Sequence, residues 1–217
     1  MKNEDLPEAI AILRKEAERY NPPVSERQHA YHNPFRVLVS VLLSARTKDE
    51  TTDTVVDRLF EKVSSPADIA ALSAKELEKL LYPVGFYKTK AKHLRDTSRL
   101  IMENYNGIVP DMMQELLNLP GIGRKSANLI LGLVFNKPSI CVDTHVHRIV
   151  NRWGYVRTKT PFETEMALRK KLSEKYWIEI NRLLVIYGQN VCTPVSPYCS
   201  KCSIGEYCKK VGVLRTR

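Results

Sequence analysis

No apolar run in the 217 residues approaches the roughly 20 needed to span a bilayer, so no segment reads as a membrane helix. The opening MKNEDLPEA is acidic and has neither the apolar stretch of a signal peptide nor the arginine-rich bias of a transit peptide. The expectation is therefore a soluble, intracellular protein without a targeting signal. Strand signals are nearly missing: only PSICVD has strand character, and it is too short and isolated to build a sheet. Self-similarity at periods of about 34 or 40 residues is absent, which argues against a helical repeat array. Acidic residues are in deficit, 24 against 34 basic ones, for a net charge of +10. An excess of that size calls for a polyanionic partner, and with no membrane segment the expected polyanion is nucleic acid.

What is present is helix signal almost everywhere. DLPEAIAILRKEAERY has Asp5 as a candidate cap, Pro7 in the first turn and an apolar stripe at Ile10, Leu13 and Ala17. PFRVLVSVLLSA is apolar nearly all round and predicts a central buried helix. DETTDTVVDRLFEKV, PADIAAL, SAKELEKLL and YKTKAKHLRDTSRLIMENY follow, most of them opened by Ser, Asp or Pro. The fold class is all-α, and the length suffices for one large core or two small domains.

Between the helical ELLNL and KSANLILGLVF lies LPGIGRKSA. Glycine permits positive φ and close approach of another backbone, so Gly121 and Gly123 predict a tight hairpin between two helices. The amides of Gly121, Gly123 and Arg124 would then face outward at the positive end of the second helix, where a phosphate can sit. Lys125 is electrostatically misplaced in that first turn. The helix dipole, with partial burial, would favour a neutral and therefore nucleophilic amine. Eighteen residues on, Asp143 in CVDTHVHRIVNRWG precedes a new helix and predicts an N-cap bonded to amides near Val146. A carboxylate held by amides also suits stabilisation of a developing cation. His145 and His147 are expected to face solvent or phosphate and to bind no metal.

Cysteine is scarce, yet four of the five fall within 17 residues as C-x6-C-x2-C-x5-C: Cys192, Cys199, Cys202 and Cys208. In an intracellular chain this spacing predicts metal ligation over disulfides, and a four-cysteine zinc site and an iron-sulfur cluster both satisfy it. Cys141, between Ile140 and Val142, is expected to be a small buried hydrophobe.

LPGIGRKSA, Pro138, the VDTH of Asp143 and the cysteine spacing, with LLSARTKD and GFYKTKAKHL, together resemble the helix-hairpin-helix DNA glycosylases of the endonuclease III type from about Asn33 to Cys208. The resemblance implies two all-helical domains with DNA in the cleft between them: a six-helix barrel at residues 27–137, and a second domain from residues 1–26 and 138–217 carrying a [4Fe-4S] cluster on the four cysteines. It further implies a monomer that acts at the nucleoid on double-stranded DNA containing damaged bases or abasic sites. A damaged pyrimidine is flipped out, Lys125 attacks C1′, Asp143 stabilises the cationic sugar, and β-elimination cuts the strand. Arg46 stands where the family typically carries Gln to fill the gap left by the flipped base. Phe86 stands where a Leu wedge is common, and His145 is placed at the DNA. The loop TPVSPY lacks the family's basic residues, for which Lys201, Lys209, Lys210 and Arg215 are candidate replacements. Alternatives are a uracil or thymine mismatch glycosylase of the same fold and a non-catalytic, redox-sensing DNA-binding protein. An adenine-specific relative usually carries an extra C-terminal domain, whereas this chain ends nine residues after Cys208.

Overall fold

The computed structural model describes residues 1–20 and 33–217, and no strand occurs among them. The helices are α1 (Leu6–Tyr20), α2 (Pro34–Ser44), α3 (Asp49–Phe60), α4 (Pro66–Ala71), α5 (Ala74–Leu81), α6 (Tyr87–Tyr105), α7 (Met113–Leu117), α8 (Arg124–Phe135), α9 (Thr144–Arg152), α10 (Pro161–Lys171) and α11 (Trp177–Asn190). No described helix is long and apolar enough to cross a membrane. The chain divides into two compact units, residues 26–137 and residues 1–25 with 138–217. The expected boundary at 26/27 lies outside the described residues.

In the 26–137 unit, α2 is the buried helix that its composition predicts. Asn33 caps it, Oδ1 accepting from the amides of Phe35 and Arg36 at 3.0 and 3.1 Å, and Pro34 sets its first turn. Leu38, Val39 and Leu43 are fully buried, and α2 packs on α3, α6 and α8. Ser65 with Asp68 and Ser73 with Glu76 form capping boxes that start α4 and α5. These short helices pack along α6.

The other unit has its own core, in which α11 packs on α1 and α9 and Leu13, Ile149, Leu183 and Leu184 are fully buried. Arg14 grips Glu179 with two bonds, of 2.9 and 2.6 Å, joining α1 to α11. Asp5 differs from expectation. Its carbonyl accepts the first helical bond, from Ala9, but its carboxylate turns back to the Lys2 amide at 2.6 Å. Gly188 brings α11 hard against α9: a Cβ there would stand 2.4 Å from His145 Nδ1 and 2.8 Å from Arg148 Nη2.

Candidate active site and nucleic-acid interface

Leu116, Leu119, Ile122 and Ala127 are buried and root the α7–α8 turn in the core. Thr97 Oγ1 on α6 donates to Pro120 O at 2.9 Å and fixes the turn from below. The two glycines differ in role. Gly121 has φ +83°, and a Cβ would approach His93 Nδ1 to 3.0 Å, so both backbone and space call for glycine. Gly123 is extended, with φ −95°, and nothing lies within 4 Å of where its Cβ would be. Of the two properties expected of this pair, positive φ belongs to Gly121 and open approach to Gly123. What Gly123 provides is an open approach to the N-terminus of α8, which no side chain caps. Arg124 and Lys125 occupy the first two positions of that helix, and Lys125 is exposed. Partial burial is thus not part of the lysine's environment. Lys125 lies in the first turn of α8, at a positive helix end where a backbone phosphate can sit.

Asp143 begins α9 as expected. Its Oδ1 accepts from the amides of His145 and Val146 at 2.9 and 2.8 Å. Both histidines, expected to face solvent or phosphate, are half-buried. His147 Nδ1 lies 2.6 Å from the Oγ1 of Thr164, a fully buried residue. His145 is half-buried beside Arg148 and Gly188. Lys125 belongs to the 26–137 unit and Asp143 to the other.

Arg46 and Phe86 come together, the guanidinium carbon 5.7 Å from the ring centre. Both are left-handed, with φ 54° and 57°, a conformation costing a non-glycine residue about 1–2 kcal/mol. Phe86 is 63% exposed although it is a large apolar side chain. Beneath the pair lies a residue that sequence reasoning missed. Lys90 is only 6% exposed, and its Nζ donates to Leu43 O, Ala45 O and Thr47 Oγ1 at 2.8, 2.5 and 2.9 Å. Burial pulls its pKa down to about 8, which leaves it an ammonium with three protons to donate at neutral pH. The available signal was its place on the buried stripe of α6, one residue before Ala91 and four before Leu94.

The four cysteines of the C-terminal spacing line one cavity, together with Tyr187, Arg152, Lys210 and Val213. Three donors reach their sulfurs: Arg152 Nη1 to Cys192 at 3.4 Å, Tyr187 Oη to Cys202 at 3.2 Å and the Lys210 amide to Cys208 at 3.3 Å. Donors aimed at sulfur suit thiolates. Burial, and after it the neighbouring cysteines, push the Cys202 and Cys208 thiols up, and a bound cationic group would favour the thiolates. Among the described residues no three His, Cys, Asp or Glu side chains gather around one ion position. Four cysteines around a shared cavity are the thiol donor set that a zinc ion or an iron-sulfur group would take. Arg148 and Arg152, also missed in the sequence, hold this loop from α9. Arg148 donates to Cys192 O at 2.8 Å, and Arg152 to Thr193 O at 2.7 Å and to Pro194 O. Cys141 is buried, as expected. Lys209 is exposed and passes over Gly154, where a Cβ would stand 2.7 Å from its Cδ.

The model of the HhH-GPD superfamily base excision DNA repair proteins matches residues 39–174. The chain belongs to this family. It binds DNA and is a DNA glycosylase and abasic-site lyase of base excision repair. Among relatives of this HhH-GPD protein, the Endonuclease III of Thermotoga maritima is 45% identical over 183 residues, 84% of this chain and 86% of that one. That of Bacillus subtilis is 36% identical over 189 residues, 87% of this chain and 86% of that one. A trapped Endonuclease III–DNA covalent intermediate, in its estranged-adenine complex, matches with a TM-score of 0.82 at 31% identity, covering 97% of both chains. A thermostable thymine-DNA glycosylase shares the fold, with a TM-score of 0.79 at 22% identity over 92% of this chain and 94% of that one.

Proposed function

We propose that this protein excises oxidised pyrimidines from double-stranded DNA and cuts the resulting abasic site by β-elimination, with Lys125 as nucleophile and Asp143 as electrostatic partner. The observation that carries the reading is Lys125, exposed on the uncapped N-terminus of α8 beside the open approach at Gly123. A strand whose phosphate docks on the α8 amides brings its sugar to the lysine. Neutral Lys125 Nζ attacks C1′ and the base departs with the bonding electrons, taking up a proton. Asp143, kept oriented by two amide bonds, stabilises the positive charge that develops on the sugar. Loss of a proton from nitrogen and opening of the sugar ring give a Schiff base. Removal of a C2′ proton then expels the 3′ phosphate. Arg46 and Phe86 fill the gap that the flipped base leaves. That a related Endonuclease III was trapped in covalent union with DNA supports the covalent route.

Cys192, Cys199, Cys202 and Cys208 would hold a [4Fe-4S] cluster. When bound, that group crosslinks residues 192–208 and fixes the shape of the loop.

Borohydride added during turnover on a duplex with one thymine glycol tests the assignment. Wild-type protein should yield a covalent protein–DNA adduct, and Lys125→Gln should yield none while binding the duplex nearly as well. Equal trapping by Lys125→Gln would remove Lys125 as the nucleophile.

A further inference from the structure

Arg46 and Phe86 lie on separate loops, 40 positions apart in the sequence, yet one set of polar contacts fixes both. Helix α2 ends at Ser44, and its last carbonyls form the negative end of the helix dipole. The Lys90 ammonium, arriving from α6, bonds Leu43 O and Ala45 O there and continues to Thr47 Oγ1. Arg46 sits between two residues held by that one group. The Thr47 hydroxyl also accepts the Gly85 amide at 3.2 Å, and Gly85 has no Cβ because one would stand 2.7 Å from Arg46 O. Phe86 follows Gly85 directly. A buried lysine thus determines the path of the Arg46 loop, and through Thr47 that of the Phe86 loop, holding two left-handed residues that would otherwise relax.

We propose that Lys90 is a positioning residue: its ammonium ties the two loops into one preformed wedge, so that the guanidinium and the ring enter the duplex together without further ordering. This rests on the reading of Arg46 and Phe86 as gap-filling residues. A wedge that is already ordered loses less side-chain and loop freedom on entering DNA than two mobile loops would.

A double-mutant cycle on the full chain with its native metal content tests this. Lys90→Met keeps the stem and removes the charge. On a duplex with one thymine glycol it should lower kcat/KM roughly ten- to hundredfold, the scale of an ångström-level misplacement. Trapping on a single-stranded abasic oligonucleotide, which has no base to flip and no gap to fill, should change by less than about twofold. In a background lacking both wedge side chains, Arg46→Ala with Phe86→Ala, adding Lys90→Met should cost less than about twofold more on the duplex, because residues acting as one unit are not additive. Should Lys90→Met fail to fold, Thr47→Val enters the same cycle, with Thr47→Ser expected to restore wild-type rates. Duplex activity unchanged in Lys90→Met, equal losses on both substrates, or full multiplication with the Arg46→Ala, Phe86→Ala pair would each overturn the proposal. If Arg46→Ala and Phe86→Ala themselves leave duplex activity intact, the gap-filling reading fails. Loss in those two without loss in Lys90→Met removes only the positioning role.

Discussion

In the proposed mechanism Asp143 joins two tasks in one carboxylate. Holding the amides of His145 and Val146 starts α9, and the same bonds fix the direction in which its charge points. The two tasks separate on substitution. Asparagine caps a helix about as well as aspartate. Asp143→Asn should therefore unfold in urea within about 0.5 kcal/mol of wild type, whereas Asp143→Ala should lose about 1 kcal/mol. Base release in single turnover should nevertheless fall by roughly a hundredfold or more in Asp143→Asn, because a preorganised charge contributes about 3 kcal/mol or more to such a transition state. A normal rate in Asp143→Asn would reduce the residue to a helix cap. Lys90 was legible in part at this scale: a lysine in register with Ala91, Leu94 and Ile101 on α6 is on the wrong face for solvent.

At the scale of elements, glycine separates packing from recognition. Where α11 meets α9, Gly188 leaves no room, with His145 Nδ1 and Cβ at 2.4 and 3.1 Å from its Cβ position. Gly188→Ala should cost about 1–3 kcal/mol in urea unfolding as the helices are forced apart. It should also lower iron content, since Arg148 bonds both Gly188 O and the Cys192 carbonyl. At the hairpin the reverse holds. Gly123 has open space and an ordinary φ, so Gly123→Ala should change stability by no more than about 1 kcal/mol. Its duplex affinity, read by fluorescence anisotropy, should nonetheless drop several-fold, because the added methyl stands where a DNA backbone would dock on the α8 amides. Unchanged affinity would take the hairpin out of the interface. The Pro-Gly-x-Gly turn announces its hairpin in sequence, but which glycine serves the fold and which the approach is read only from the surrounding atoms.

For the whole molecule, two cores and one cysteine-lined cavity give a division of labour. The protein purified without oxygen should carry about four iron atoms and four sulfides per chain. One zinc per chain without sulfide would contradict the cluster assignment. Stripping the metal should raise amide exchange chiefly over residues 188–213, where Arg152, Tyr187 and the Lys210 amide point at the cysteine sulfurs. Protection in α2 should stay, since its core belongs to the other unit. Equal loss of protection across both units would mean that the cluster supports the entire chain.

The sequence by itself determined what depends on near neighbours. The apolar run of α2, the Pro and Ser that open α4 and α5, the Gly/Pro turn before α8 and the C-x6-C-x2-C-x5-C spacing all act over a few residues, and all were legible. Asp143 as a cap belongs with them, because its partners lie two and three positions on. Tertiary structure decided what depends on atoms brought from elsewhere. The acceptors of Lys90 lie 43 to 47 positions away, and Arg152 meets the cysteine loop across 40 or more. Asp5 looked like a cap and found a nearer amide at Lys2, while the two histidines of α9 turned toward other helices. A charged side chain is solvated or buried according to where another element's unpaired carbonyls come to rest, and only packing settles that position.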